Sequence, residues 1–370
     1  MANTKIIAMY LPQFHCIPEN DEFWGKGFTD WVTVKKAMPL FEGHRQPIIP
    51  LNENYYDLSL KENVAWQAKL AKEHGIYGFG IYHYWFNNET NLLTKPAEII
   101  RDNKEIDINY FFVWDNANWK RSWSNVDGNA WSPVADNSVK EQGGSAILIP
   151  YILGHESDWE NHYKRLRAYF EDKRYIKKEN RPVFVILQYS IEITEMCSYW
   201  DYLAKNDGYD GMCFIFKYNQ NLNINGDYWV FNYEPIYHGW ANCSLSERIK
   251  NKLYRTLRGN HGLREYDYDT IWKKIIKDAK ASQQNIYHGA FVSYDDTPRR
   301  GYKGTLVKGS TPDKFKRNLL ELIKISECQG KDFIFLTAWN EWGEGAYLEP
   351  DNVVKNEYLE AISEIVEHNF

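Results

Sequence analysis

Eight short apolar segments recur along the chain, and helical patterns lie between several of them. Such continuous apolar runs are typical of parallel strands that are buried on both faces. Parallel strands need crossover connections, usually helices, so this order favours an α/β protein built as a (β/α)8 barrel over an open sheet. The predicted strands cover residues 5–10, 78–85, 110–114, 182–188, 212–217, 228–233, 289–294 and 333–339.

Helix signals are present between these segments. Ser59 and Glu62 have the spacing of a capping box before an apolar stripe, and Gly75 provides a stop signal. Thr311 followed by Pro312 is typical of an N-cap and the first position of a helix. Further helices are predicted at 94–105, 158–171, 191–206 and 268–282. The chain contains no obvious repeat or linker, so we predict one barrel domain over residues 1–370.

The connections between the predicted strands are uneven in length. Only about ten residues separate the fifth strand from the sixth, fewer than an ordinary crossover needs. Two other connections, at residues 11–57 and 116–157, are unusually long. Because both follow a strand, a barrel would place them at its C-terminal face, where barrel enzymes carry their active sites.

Charge and cysteine content narrow the classes of partner and compartment. The 370 residues include 44 basic and 50 acidic side chains, a net charge of −6, which argues against a nucleic acid or an anionic membrane as partner. The apolar run at residues 6–10 is cut short by Pro12 and is too short for a signal peptide, and no stretch is long enough to span a membrane. The five cysteines contain no C-x-x-C pair, so we predict a reducing, cytoplasmic location.

Aromatic residues make up 16% of the chain. They are efficient core fillers, and they also form flat apolar platforms with a polar edge that suit sugars. The fraction alone leaves both interpretations open, because interfaces also favour tyrosine and tryptophan. Their positions relative to other polar residues therefore carry the argument.

Two carboxylates directly follow the last predicted strand, at Glu341 and Glu344. They lie between Trp339 and Gly345, where glycines permit a turn that directs both side chains into one cavity. Glycoside cleavage commonly uses two carboxyl groups, and an apolar wall would keep one of them protonated near neutral pH. The alternative is a solvated turn with two ordinary surface glutamates.

Other strand ends carry aromatic and hydrogen-bonding residues that we predict to contact substrate. His83 could instead be a buried histidine with its hydrogen bonds satisfied, and Arg300 could be an ordinary loop charge rather than an anion ligand. The candidates at the second, third, sixth and seventh strand ends are Tyr84, His83, Trp85, Trp114, Asp115, Asn118, Trp119, Arg121, Tyr233, Glu234, Asp295, Asp296 and Arg300.

Motif searches give no sign of a cofactor or metal. The chain has no Walker loop, no dinucleotide-binding glycine motif after a strand, no nucleophile elbow and no H-E-x-x-H. Asp295 and Asp296 have no histidine cluster or regular acidic spacing around them, so we predict no metal site and no cofactor. A nucleotide-sugar transferase would usually need a phosphate-binding device, and here only scattered basic residues could serve.

Several long motifs resemble the WbsX-like proteins, which are related to glycoside hydrolase family 99. The segments are 10–15, 18–31, 78–86, 114–123 and 339–350, spread over nearly the whole chain. The resemblance implies a (β/α)8 barrel and a role in surface-polysaccharide metabolism, such as O-antigen or capsule. It also adds Tyr10, His15, Trp31, Trp339, Asn340 and Trp342 as expected substrate contacts.

The resemblance further implies a mechanism with retention of configuration. Glu341 would deprotonate the sugar's own 2-hydroxyl, which attacks the anomeric carbon to give an anhydro sugar. Glu344 would protonate the leaving group and then activate water or another acceptor. Family members often carry a glutamate where this chain has Ala117, so an acidic contact is missing here or is replaced by Asp115.

The sequence thus predicts an enzyme that cleaves or transfers a glycosidic bond, with an oligosaccharide or polysaccharide as its partner. Two alternatives remain open: a glycosyltransferase that depends on a nucleotide sugar, and a non-catalytic glycan-binding barrel in a polysaccharide assembly complex. The acceptor, the sugar, the linkage and the oligomeric state are not predicted.

Overall fold

A closed barrel of eight parallel strands forms the centre of the molecule. The computed structural model describes residues 4–120, 147–218, 222, 228–243, 246, 249, 252–253, 256–257, 262–282 and 285–368. Each barrel strand pairs with the next, and the first also pairs with the last, which closes the barrel and confirms the predicted (β/α)8 architecture. The strands are β1 (Lys5–Tyr10), β2 (Gly78–Trp85), β3 (Asn109–Trp114), β4 (Arg181–Ile186), β5 (Cys213–Lys217), β6 (Trp229–Phe231), β7 (Ile286–Phe291) and β8 (Phe333–Thr337).

Helices lie between the strands and in the loops. None of the helices in the described ranges is long and apolar enough to cross a membrane. They are α1 (Pro18–Trp24), α2 (Asp30–Lys36), α3 (Lys61–Glu73), α4 (Lys95–Asp102), α5 (Glu156–Phe170), α6 (Ile191–Asn206), α7 (Tyr268–Ala281), α8 (Thr297–Arg300), α9 (Pro312–Cys328) and α10 (Glu357–His368).

The predicted helix starts are partly confirmed. Thr311 caps α9 as expected, because its side chain accepts a hydrogen bond from the backbone of Lys314. The predicted capping box at Ser59 is wrong: α3 begins one residue later, with Leu60 as its N-cap and no side-chain cap bond. The apolar stripe places the helix correctly, but its first turn is held by backbone contacts rather than by a serine.

The short connection between β5 and β6 does not interrupt the barrel. The two strands pair directly in parallel, with Ile215 opposite Trp229 and Phe216 opposite Val230. Tyr218 also donates its backbone N–H to the carbonyl of Phe231. The sixth strand therefore joins the barrel although its connection is shorter than an ordinary crossover.

Aromatic rings fill part of the barrel interior. Phe335 packs against Phe231 with ring centroids 4.5 Å apart and against Phe111 at 5.8 Å. Gly80 makes room for this packing, since a Cβ there would lie 3.1 Å from both Phe111 and Val113. The barrel is thus a packed core with its open space at the C-terminal ends of the strands.

The long connection after β1 folds over the C-terminal face. It contains α1, α2 and a 3-10 turn at Leu51–Glu53. Trp31 anchors it by donating its indole N–H to the carbonyl of Tyr56 over 2.8 Å, and Phe14 packs on both rings. The segment therefore has its own small aromatic core and can hold side chains firmly above the barrel.

Candidate active site

A cavity of about 540 Å³ lies at the C-terminal end of the barrel. Three carboxyl groups and two cationic side chains line it together with six tyrosines, which gives a polar and aromatic surface suited to a hydroxyl-rich ligand. The charged lining residues are Asp115, Lys217, Arg299, Glu341 and Glu344. The tyrosines are Tyr82, Tyr84, Tyr189, Tyr218, Tyr233 and Tyr237.

One tight turn presents both glutamates to the cavity. Glu341 ends a two-residue strand, Asn340–Glu341, which pairs antiparallel with Ala346–Tyr347. The 3-10 turn Trp342–Glu344 joins them and ends at Gly345, whose φ of 57° is the left-handed conformation that glycine adopts without strain. Residues three apart in a 3-10 turn lie on the same side, so the Glu-x-x-Glu spacing directs both carboxyls into one cavity.

Arg299 and Asp30 hold this turn in place through hydrogen bonds. Arg299 donates to Glu344 over 2.7 Å and to Asp30 over 3.1 Å, while its Nη1 lies 4.0 Å from Glu341. Asp30 also accepts the backbone N–H of Gly343 over 3.1 Å. A Cβ at Gly343 would lie 2.5 Å from Arg299, so only glycine lets the turn approach this ion pair so closely.

The two glutamates have different surroundings. Glu344 is ion-paired with Arg299, whereas Oε2 of Glu341 is buried without a hydrogen-bond partner in the described part of the chain. Burial raises the pKa of Glu341 well above its ordinary value, and the negative charge of Glu344 adds to the effect. A carboxyl near a carboxylate resists losing its own proton, so both burial and the neighbouring charge favour the protonated form of Glu341.

Asp115 and Lys217 contribute charge to another part of the cavity lining. Burial raises the pKa of Asp115 to about 6, and the charge of Lys217 opposes this effect. Burial also lowers the pKa of Lys217 from its ordinary value, and Asp115 partly offsets that. The two side chains therefore act on each other through space while both remain available to a ligand.

A buried carboxyl supports the turn from the side away from the cavity. Glu349 accepts hydrogen bonds from Trp342 over 2.6 Å, from Tyr56 over 2.7 Å and from Gln67 over 2.7 Å. Burial raises its pKa to about 7, against the lowering effect of these donors. Asn340 adds a second tie, because its amide bonds both the N–H and the carbonyl of Leu11.

Alternation along β2 separates the residues predicted there. Tyr82 and Tyr84 line the cavity, as expected for Tyr84. His83 and Trp85 point the other way, onto His162 of α5, with a ring stacking distance of 4.4 Å for Trp85. Successive strand residues face opposite sides, so the predicted cavity contacts at His83 and Trp85 lie behind the barrel wall instead. His83 is a buried histidine hydrogen-bonded to His162, the alternative weighed for it above.

The predicted tryptophan contacts do not line the cavity. They are buried in the core: Trp114 donates to the carbonyl of Trp85, Trp342 stacks on Tyr347, and Trp31 packs against Trp342. The large indole rings bury much apolar surface in the core. The aromatic surface of the cavity is made of tyrosine, whose hydroxyl tolerates contact with water. The buried tryptophans among the predicted contacts are Trp31, Trp85, Trp114, Trp119, Trp339 and Trp342.

Four further predicted contacts lie in the fold outside the cavity, and three of them are held by hydrogen bonds. Tyr10 donates to Gln67 in the core, and Asn340 is used by Leu11 as described. Asn118 accepts the backbone N–H of Tyr151. His15 is buried, and burial lowers its pKa. None of the four is among the residues that line the cavity.

The acidic residues after β6 and β7 are likewise engaged outside the cavity. Glu234 is fully buried, with one oxygen 2.5 Å from Nδ1 of His238. Asp295 accepts hydrogen bonds from Gln46 over 2.7 Å and lies 2.9 Å from Nε2 of His44. Asp296 pairs with Arg300 at 3.2 Å. The Asp295 contacts join two loops, whereas Glu234 and Asp296 pair with residues four positions further along the chain. An acidic residue after a strand therefore did not predict a cavity position.

Five predicted residues do meet at the cavity: Tyr84, Asp115, Tyr233, Glu341 and Glu344. Arg121 lies outside the described residues, and Ala117 is not among those that line the cavity. In the described ranges, no group of three or more histidine, cysteine, aspartate or glutamate side chains is arranged to hold a metal ion.

Sequence reasoning missed Asp30, Lys217 and Arg299. Lys217 had a usable signal, because it is the last residue of a predicted strand and so lies at the catalytic end. Arg299 directly precedes Arg300, which we predicted as a contact, and nothing in a pair of adjacent arginines tells which one points inward. Asp30 lies far from the turn in sequence, and only the folded long connection brings it to Arg299.

Comparison with known proteins places the chain among carbohydrate-active proteins. The sequence profile described as Glycosyltransferase WbsX matches residues 6–362. The chain is 27% identical over 369 residues to the uncharacterized protein WxcX of Xanthomonas campestris pv. campestris, in strains ATCC 33913 and B100, covering 96% of this chain. It spans about half of that relative, 48% of its length.

Solved structures resemble the fold at low sequence identity. One is the GH99 endo-alpha-mannosidase from Bacteroides thetaiotaomicron, with a TM-score of 0.57, 13% identity and coverage of 98% of this chain and 96% of that one. Another is described as a glycoside hydrolase-like protein, with a TM-score of 0.59, 12% identity and coverage of 99% and 94%. At this identity the similarity concerns the barrel fold.

Proposed function

The chain belongs to the WbsX family of glycosyltransferases, as its motifs indicated, and on that premise we propose that it breaks or transfers a glycosidic bond in the cavity of the barrel. The observation that carries the proposal is the pair Glu341 and Glu344, which one tight turn directs into that cavity. The substrate is an oligosaccharide or polysaccharide, and the reaction belongs to surface-polysaccharide metabolism in the cytoplasm.

The proposed first step forms an anhydro sugar. Glu341 as a carboxylate takes the proton of the sugar's 2-hydroxyl, and the freed oxygen attacks the anomeric carbon. The bond to the leaving oxygen breaks as Glu344, in its protonated form, gives that oxygen a proton. The sugar then carries a three-membered ring between its first two carbons.

The proposed second step reopens the ring. Glu344, now a carboxylate, takes a proton from water or from an acceptor hydroxyl, whose oxygen attacks the anomeric carbon. The ring oxygen recovers its proton from Glu341, so both glutamates return to their starting states. Two inversions at one carbon give net retention, and the choice between water and a sugar hydroxyl decides between hydrolysis and transfer.

The surroundings of Glu341 support its role as the base. A carboxyl with a raised pKa is a stronger base once ionised, and its Oε2 is buried without a hydrogen-bond partner in the described part of the chain. Arg299 places its positive charge beside Glu344, to which it donates a hydrogen bond. A 2-hydroxyl that donates a hydrogen bond to Glu341 favours the carboxylate form of this residue, which is the form that acts as the base.

The tyrosine-rich wall supports a sugar as the ligand. Tyr82 and Tyr233 are hydrogen-bonded to each other through their hydroxyls beside the catalytic pair. Burial raises the pKa of both, so they remain neutral donors and acceptors at physiological pH. Neutral hydroxyls and flat rings match the hydroxyl rims and C–H faces of a pyranose.

Substitution of each glutamate tests the proposal. Glu341→Gln and Glu344→Gln should each lower kcat/KM by about 1,000-fold or more while glycan affinity stays within a few-fold. Glu192→Gln and Glu195→Gln are matched controls, because they repeat the same spacing on α6, away from the cavity. Wild-type turnover in both Glu341→Gln and Glu344→Gln would sink the assignment.

A substrate screen separates the remaining alternatives. Defined oligosaccharides would be incubated with and without nucleotide-sugar donors, and the anomer first formed would be followed by NMR. Turnover of glycan alone with retention supports the proposed reaction, and an inverted product removes the anhydro-sugar route. Strict dependence on a nucleotide sugar indicates a conventional transferase, whereas binding without any turnover indicates a glycan-binding barrel.

A further inference from the structure

The two cations of the cavity are in different situations. Arg299 is matched by the carboxylates of Asp30 and Glu344, both within hydrogen-bonding distance. The side chain of Lys217, the last residue of β5, forms no ion pair or hydrogen bond with any residue that the structure describes. Asp115 also lines the cavity and acts on Lys217 only through longer-range charge.

Lys217 lies close to the proposed reaction centre. Its ammonium is 5.9 Å from the ring centre of Tyr233, whose hydroxyl bonds Tyr82. The charge of Glu341 acts on both tyrosines, and all three residues line the same cavity as Lys217. A substrate group that contacts Lys217 therefore belongs to a sugar at or next to the cleaved bond.

The position of Lys217 disfavours the charged form of its side chain. Lys217 is half-buried, and this partial burial lowers its pKa from the ordinary value. Buried charges are normally retained when an opposite charge or a full set of hydrogen bonds compensates them. The neighbouring cavity residues Gln188, Tyr189 and Tyr218 are neutral, so within the described lining the compensation is incomplete until a ligand arrives.

We propose that Lys217 binds a carboxylate carried by the glycan, so that the cavity selects a sugar acid such as a uronic acid over its neutral counterpart. This inference rests on the proposed function, since it names the class of substrate for the same cavity. One cation fits one negative charge. A nucleotide diphosphate carries at least two negative charges, which proteins usually meet with several charged donors, whereas in the described lining Lys217 is the one cation that no carboxylate contacts directly.

Matched sugar pairs test this selection. The probes are the methyl glycosides of glucuronic acid and glucose, of mannuronic acid and mannose, and of galacturonic acid and galactose, with binding measured by calorimetry or saturation-transfer NMR. In the wild-type protein at least one acid should bind about tenfold or more tightly than its neutral partner. Lys217→Met should abolish that preference, and Lys217→Arg should keep much of it because the charge remains.

Lys324→Met provides the matched control, since it removes one positive charge from the exposed face of α9. It should leave the preference intact, which excludes an effect of net charge alone. Equal binding of acid and neutral partners, a preference that survives Lys217→Met, or no binding of any acid probe would each overturn the inference. The Glu341 and Glu344 variants are tested separately, by turnover of neutral glycans. Failure of the sugar-acid inference would therefore not contradict the proposed catalytic pair.

Discussion

Nη1 of Arg299 lies 2.7 Å from Oε1 of Glu344, which makes this arginine the direct partner of one member of the proposed catalytic pair. Asp30 forms a second ion pair with the guanidinium of Arg299. Arg299 therefore cannot move away from Glu344 without breaking that ion pair as well. The position of the Glu344 carboxylate therefore depends on a residue in a different loop.

Replacing this arginine should impair catalysis more than binding. Arg299→Lys keeps the charge but loses the planar fork that reaches both carboxylates, so kcat should fall about 100-fold with a smaller change in KM. The pH dependence of kcat/KM should also change, because the charge nearest the pair has moved. Steady-state kinetics between pH 5 and 9 would measure both effects.

Arg300→Met is the matched control for this experiment. Arg300 pairs with Asp296 and does not line the cavity, although the sequence made it a candidate substrate contact. Its replacement should change kcat/KM by less than about threefold. A loss as large as that of Arg299→Lys would contradict the division of roles between the two arginines.

Glu349 should matter for catalysis without touching the substrate. Glu349→Ala leaves the buried donors of Trp342, Tyr56 and Gln67 without their acceptor, which should cost about 3 kcal/mol or more of the free energy of unfolding. Because Trp342 lies inside the catalytic turn, kcat should fall as well. Denaturant unfolding and turnover would be measured on the same samples.

Glu349→Gln distinguishes positioning from simple loss of stability. It retains an acceptor oxygen and the side-chain volume, so it should recover much of both the stability and kcat. Recovery of stability with no recovery of kcat would mean that the carboxyl has a role beyond holding the turn.

His83 makes the fold sensitive to acid. Burial lowers its pKa from 6.5 to about 3, so the unfolded chain takes up a proton that the folded protein refuses. Its contribution to stability is therefore complete above pH 6.5 and is lost as the pH falls toward 3. By pH 5 the loss should reach about 2 kcal/mol for this one group.

His83→Leu should flatten the fall in unfolding free energy between pH 7 and pH 5. Its kcat/KM should remain within a few-fold of wild type, because His83 faces α5 rather than the cavity. An unchanged pH slope, or a large loss of activity with normal stability, would show that the histidine acts in another way.

The aromatic contacts to substrate should come from tyrosine. Tyr237→Ala removes a ring from the cavity wall and should raise KM about tenfold with little change in the free energy of unfolding. Trp85→Leu removes a larger ring from the core and should cost about 2 kcal/mol of stability with KM unchanged. The reverse pattern would restore the tryptophans as the sugar platform.

The fold could be predicted because each barrel strand is recognisable from its own local sequence. A strand buried on both faces must be apolar along its length, and all eight such runs became barrel strands. The seventh strand lies three residues earlier than predicted, at Ile286–Phe291 instead of 289–294. Strand ends are set by partners in neighbouring strands, which local sequence does not contain.

The site could be predicted only in part. The Glu-x-x-Glu spacing carries its own geometry, since a single turn places Glu341 and Glu344 together. Strand-end motifs, by contrast, alternate between the cavity and the barrel's outer wall, so Tyr84 was placed correctly and Trp85 was not. Asp30 could not be found this way, because its role arises from a contact with Arg299 across most of the chain.

The bonds between Asn340 and Leu11 join the loops that follow β8 and β1. These two strands are the farthest apart in sequence and are neighbours only once the ring of strands is complete. We therefore expect the turn that carries Glu341 and Glu344 to reach its native shape only after the first and last strands have paired. Recovery of substrate turnover during refolding should then report the pairing of these two strands. It should appear later than any signal that follows only the formation of helices.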